Sequence, residues 1–144
     1  MGYIINKNDF IKVVVTIPEA DVQVMDSSTP YTLVSTNLLF AAIPVLCFVK
    51  IANNQTVPYS GFTYLHLTNT NNYSVGDINS TYAANSTGTI DLSPGGLYTF
   101  LVNFQASPNR FGGINGTKNL EIFFDILPTA GDGDMEVTLY YLKA

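Results

Sequence analysis

The sequence predicts one all-β domain spanning residues 1–144, an antiparallel β-sandwich of jelly-roll-like build, with a closed β-barrel as the alternative. Three observations carry this. Apolar residues recur with period two in the segments at Ile11, Leu97, Leu120 and Met135, the repeat of a strand with one face buried. No window sustains the i, i+3, i+4, i+7 spacing of an amphipathic helix. Gly, Pro, Asn and Asp break the chain at strand-sized intervals, and antiparallel sheets need no helical crossovers.

Taken in order, Ile11, Val13, Val15 and Ile17 alternate with Lys12, Val14 and Thr16, and Pro18 ends this first strand because it cannot donate to a ladder. A short piece at Val22 to Met25 follows, then the turn Asp26-Ser27-Ser28-Thr29-Pro30, then a strand at Tyr31 to Val34. Ile43 to Ile51 and Phe62 to Thr68 are apolar at nearly every position, which predicts strands covered on both faces, by the second sheet or by a partner. Asn69 to Thr89, rich in Asn, Ser and Thr, reads as an exposed excursion. Leu97 to Phe104 is the next strand, and Ser107 to Thr117, with Pro108, Gly112, Gly113 and Gly116, is a second loop. Both loops have few apolar groups to offset the entropy of ordering them, so flexibility is expected there. Leu120 to Ile126 and Met135 to Tyr141 alternate most clearly. Pro128 to Asp134, with Gly131 and Gly133, is short enough to join them as a hairpin.

Composition narrows the function. Charged residues make up 12% of the chain, against roughly 25% in an ordinary soluble domain. Asn, Thr, Ser and Tyr must carry the solvated surface, a composition that also suits surfaces buried against other subunits. The formal net charge is −5 and the six basic residues are scattered, which argues against nucleic acid and anionic membranes as partners. The longest apolar segment, Leu38 to Val49, is broken by Pro44 and is shorter than the ~20 residues of a spanning helix. Met1 to Phe10 lacks a signal-peptide layout, and Asn6 stands where a myristoylation site needs Ser or Thr.

No constellation calls for catalysis, a cofactor or a metal. Cys47, the only cysteine, lies in an apolar run and reads as a core thiol. Together with His66, the only histidine, it would form a nucleophile–base pair only if their strands were neighbours. Asp132, Asp134 and Glu136 share a strand face if the strand begins early, a set that suits Ca²⁺, but turn chemistry explains them more simply. The sequons at Asn54, Asn72, Asn79, Asn85 and Asn115 are what an Asn-, Ser- and Thr-rich chain generates by chance. Exposed aromatics such as Tyr59, Tyr73, Tyr82 or Phe111 would suit stacking on sugar rings.

Two stretches carry a resemblance: Val13-Val14-Val15-Thr16-Ile17-Pro18-Glu19-Ala20-Asp21-Val22, continuing to Ser28-Thr29-Pro30-Tyr31-Thr32-Leu33-Val34, and Pro128 to Tyr141. They resemble the opening and closing segments of small proteins encoded among the structural genes of tailed phages. The resemblance implies a virion location, on the capsid surface. It agrees with the residues' own indications of synthesis in the host cytoplasm without a signal peptide and of no enzymatic activity. A capsid decoration or auxiliary head protein is the leading expectation. Charge scarcity and the apolar strands Ile43 to Ile51 and Phe62 to Thr68 point to a homo-oligomer bound to capsid or other virion proteins, and the resemblance implies three copies. The rival expectation is a carbohydrate-binding or receptor-binding module.

Overall fold

The computed structural model describes residues 10–37, 39–40, 42–69, 73–79, 92, 96–99, 101–102 and 119–143, with the backbone alone for 69, 73–79 and 101–102. Along these residues run β1 (Phe10–Ile17), the helical turn α1 (Glu19–Val22), β2 (Tyr31–Val34), β3 (Ala42–Ile51), β4 (Tyr64–Asn69), β5 (Tyr73–Asn79), β6 (Leu97–Thr99), β7 (Leu101–Val102), β8 (Leu120–Phe124) and β9 (Met135–Lys143). Sheet A has the order β1-β9-β3-β6 and sheet B the order β2-β8-β4-β5-β7. All pairings are antiparallel.

The pairings are nested. β1 pairs with β9, β2 with β8, β3 with β6 and β4 with β5. The chain is thus one long antiparallel ribbon that doubles back between β4 and β5 and is wound on itself. The further ladders β3–β9 and β4–β8 join its turns into two sheets. This winding is a jelly roll. The sheets stay separate, so the closed barrel is set aside.

Winding follows from the residue pattern, since each sheet has one apolar face to cover. In β9, Met135, Val137, Leu139 and Tyr141 point inward and are at most 7% exposed, while Glu136, Thr138, Tyr140 and Leu142 point outward and are half-buried. Leu65 and Leu67 of β4 and Ile122 and Phe124 of β8 meet them from sheet B, all fully buried. Each such side chain contributes about 1.5–3 kcal/mol by leaving water.

Several expectations are corrected. Val22 to Met25 is not a strand piece: Pro18, with φ −60 and ψ 149, caps the helical turn α1, and Val22 and Met25 are buried. The excursion at Asn69 to Thr89 contains β5, because β4 offers its free ladder to Tyr73–Asn79 and that pairing outweighs polar composition. The strand expected over Leu97 to Phe104 is divided. Leu97–Thr99 pairs with β3 in sheet A and Leu101–Val102 with β5 in sheet B, as winding requires. β8 and β9 form no hairpin, since they belong to different sheets. The Pro128–Asp134 segment spends its backbone groups on the 57–60 segment instead: Thr129 N–H donates to the Ser60 carbonyl (2.9 Å), Ser60 N–H to Ala130 (3.0 Å) and Asp132 N–H to Val57 (3.1 Å). The loop expected at Ser107 to Thr117 lies outside the described residues.

Candidate functional site

The outer face of sheet A is the most distinctive surface among the described residues. β3 decides its character. Ala42 and Pro44 point inward, the register shifts between Pro44 and Leu46, and from there Cys47, Val49 and Ile51 point inward. Val45 is the extra residue of a β-bulge, which reverses the parity of the strand. Pro44 is tolerated because β6 reaches only Phe48 to Lys50, so on that side no ladder needs its missing N–H. The reversal turns Leu46, Phe48 and Lys50 outward. The expected cover on both faces of β3 is therefore absent within this chain among the described residues: Leu46 is 37% exposed and Phe48 half-buried.

Register then assembles the face. Phe10, Leu142 and Ile43 form one row, and Lys12, Tyr140 and Leu46 the next. Val14, Thr138, Phe48 and Thr99 form the third, and Thr16, Glu136, Lys50 and Leu97 the fourth. Val14 is 50% and Leu97 65% exposed. The Lys12 ammonium lies 5.9 Å from the centre of the Tyr140 ring. Three long strands at ~4.8 Å spacing and ~3.4 Å per residue present a face on the order of 400 Å². Apolar side chains share it with Lys12, Thr16, Lys50, Thr99, Glu136, Thr138 and Tyr140 of the same rows. Its size is within the roughly 300–600 Å² of the largest patches on ordinary monomers, which are often functional.

The outer face of sheet B is aromatic. Tyr64 stacks on His66 with ring centres 5.6 Å apart, and His66 lies 5.2 Å from Phe123. Cys47 is fully buried between the sheets, and burial pushes its thiol up to about 12. His66 belongs to the other sheet and projects outward between the inward Leu65 and Leu67. The structure keeps the suggested Cys47–His66 pair apart.

The acidic residues near the arch at 128–134 hold loops. Asp132 accepts hydrogen bonds from the Thr56 N–H (2.6 Å), the Thr56 hydroxyl and the Val57 N–H (2.8 Å), which hold its carboxyl below the usual range. Asp134 Oδ1 accepts from the Glu19 N–H (3.0 Å), and Glu19 Oε2 accepts from the Gly133 N–H (3.3 Å), docking α1 on the arch. Among the described residues, no three His, Cys, Asp or Glu side chains gather closely enough to hold a metal.

Tyr59, expected to be exposed, is fully buried. Its hydroxyl donates to the Gly133 carbonyl (2.5 Å) and its ring lies 6.5 Å from Phe124. Burial, followed by the charges of Glu19, Asp132 and Asp134, raises its pKa. Asn54 sits in an exposed turn and accepts from the Asp134 N–H (3.2 Å). Asn72, Tyr82, Asn85, Phe111 and Asn115 lie outside the described residues, and Tyr73 and Asn79 have only their backbone described. The sheet A face was missed because no alternation marks Ile43 to Ile51. Proline at position 44 inside an apolar run was the available sign of a bulge.

Fold and surfaces define an all-β jelly-roll sandwich whose sheet A keeps an open outer face. No family model matches the chain, and neither the curated proteins nor the solved structures compared with it include a match.

Proposed function

We propose that this protein is a non-enzymatic structural protein of the virion of a tailed phage, a decoration or auxiliary protein that coats the capsid as a homo-oligomer. The observation that carries the reading is the open outer face of sheet A, with Val14, Leu46 and Leu97 exposed on it, in a chain with 12% charged residues. A protein that works by remaining attached needs a stable fold and complementary apolar surface, and no reactive groups. The resemblance of its opening and closing segments to phage structural proteins supports the same reading. Mass spectrometry of purified particles tests it, together with rebinding to particles stripped of the protein. Phe48→Asp is expected to abolish rebinding while leaving the circular dichroism spectrum unchanged. Absence from particles, or undiminished rebinding by this variant, overturns the proposal.

The half-buried Tyr64–His66 pair, backed by the buried Phe123, favours a second reading, a carbohydrate-binding module, because stacked rings suit the apolar faces of sugars. Glycan-array binding that is lost in Tyr64→Ala would establish it in place of the first.

A further inference from the structure

The four sheet edges are unequal. β6 has three residues, β7 two, and β2 four with a register shift between Thr32 and Val34. Short or bulged edges resist pairing with other chains. β1 is the exception, with eight residues in continuous register against β9 from Phe10 to Ile17, no proline, no bulge and one charge, Lys12. No described residue pairs with its far side. Its inward residues also remain incompletely covered. Ile11, Val13 and Val15 are half-buried, whereas their register partners Leu139 and Val137 are fully buried and Tyr141 is 7% exposed.

The strand is also self-complementary. Ile11-Lys12-Val13-Val14-Val15-Thr16-Ile17 reads almost the same in both directions. Directly opposed residues of an antiparallel pair share a face. About a twofold axis at Val14, Ile11 of one copy therefore meets Ile17 of the other and Val13 meets Val15, all on the core side. On the outer side Val14 meets its own copy and Lys12 meets Thr16. Centring on Lys12 would oppose two ammonium groups, and centring on Val13 would set each ammonium against Val14. A contact about a twofold axis requires a surface that complements itself, and this register supplies it.

We propose that two copies of this chain pair antiparallel through β1, with Val14 on the twofold axis, merging two four-stranded sheets into one of eight strands. The contact closes the long edge and completes the cover of Ile11, Val13 and Val15. It also joins the two open sheet A faces into one continuous surface. It produces even copy numbers, so three copies would need a different contact. The inference does not rest on the virion reading.

Sedimentation equilibrium of the full chain is expected to give a dimer at micromolar concentration. Val14 is 50% exposed in the single chain, so Val14→Lys should keep the fold and give a monomer, with dissociation raised at least a hundredfold. Val14→Cys should form an intermolecular disulfide under mild oxidation, since opposed strand residues lie within disulfide reach. Val24→Cys, at an equally open position outside β1, should not. A wild-type trimer, a wild-type monomer at high concentration, or a Val14→Lys dimer as tight as the wild type overturns the proposal. So does a monomer whose particle binding is lost in Val14→Lys, which would assign the edge to a shell protein's strand. A β1 dimer that fails to bind particles sinks the virion reading alone.

Discussion

Asp132 and Gly131 show how single residues hold the arch between the two sheets. Gly131 has φ +134, and a Cβ there would lie 2.2 Å from Tyr59 Cδ1 and 2.7 Å from Tyr59 Cα. Gly131→Ala is expected to cost about 2 kcal/mol or more, because backbone strain and a clash with a fully buried ring add together; urea denaturation measures it. Gln55 behaves oppositely. Its side chain is 4% exposed, and neither amide atom has a hydrogen-bond partner, so Gln55→Met should stabilise the fold by ~1 kcal/mol. A loss of stability in the same denaturation experiment would contradict this. Asp26 accepts from the Ser28 hydroxyl (2.6 Å) and N–H (2.8 Å) and from the Thr29 hydroxyl and N–H (3.0 Å each), which lowers its carboxyl from 3.8 to about 2. Asp132 is lowered by its own turn bonds. A carboxyl whose pKa is lower folded than unfolded adds stability above the unfolded value and loses it as pH falls through the folded one. Urea midpoints should therefore fall as pH drops from about 4 towards about 2, and less steeply in Asp26→Asn and Asp132→Asn.

At the scale of elements, the bulge at Val45 is the feature on which most depends. Pairing Val45 itself with Tyr140, with no bulge, would carry Cys47, Val49 and Ile51 to the outer face and Leu46, Phe48 and Lys50 into the core. Burying Lys50 without a partner and exposing three core side chains is incompatible with the fold. Deleting Val45 removes the extra residue and leaves the same side chains inward, so that variant is expected to keep a cooperative thermal transition. Val45→Thr, at a position 37% exposed, should melt within a few degrees of the parent. Loss of the transition in the deletion variant would show that Val45 is not the extra residue. β1 was legible as a strand from its alternation, and α1 was not legible as a helical turn. A four-residue turn has no periodicity to read, and it exists because Glu19, Gln23 and Asp134 bond across the arch.

For the whole molecule, nested pairing sets the folding mechanism. The outermost ladder joins Phe10 to Leu142 and Ile17 to Met135, so the β1–β9 ladder of sheet A forms only after the two ends of the described chain meet. Loop closure of that length precedes the contacts that reward it. Refolding from urea is expected to take from milliseconds to seconds or longer. Stopped-flow aromatic fluorescence checks this, and completion within microseconds would show that local contacts dominate.

Alternation by itself determined the all-β class and located β1, β8 and β9 to within a few residues, because period two records directly which face of a strand is apolar. The turn at Asp26 to Pro30 located β2 after it. Sequence also placed Cys47 in the core, since an uninterrupted apolar run has few other uses. It could not assign strands to sheets. Leu120–Phe124 and Met135–Lys143 look like the arms of a hairpin, and only the hydrogen bonds that bind residues 128–132 to the 57–60 segment send them to opposite sheets. Nor did alternation orient β3, an apolar run in which a single extra residue, Val45, decides which side chains face out. Pattern along a strand is local and is written in the residues. Pairing between strands is settled by competition among distant partners for the same ladder, and that competition is resolved only in the folded chain.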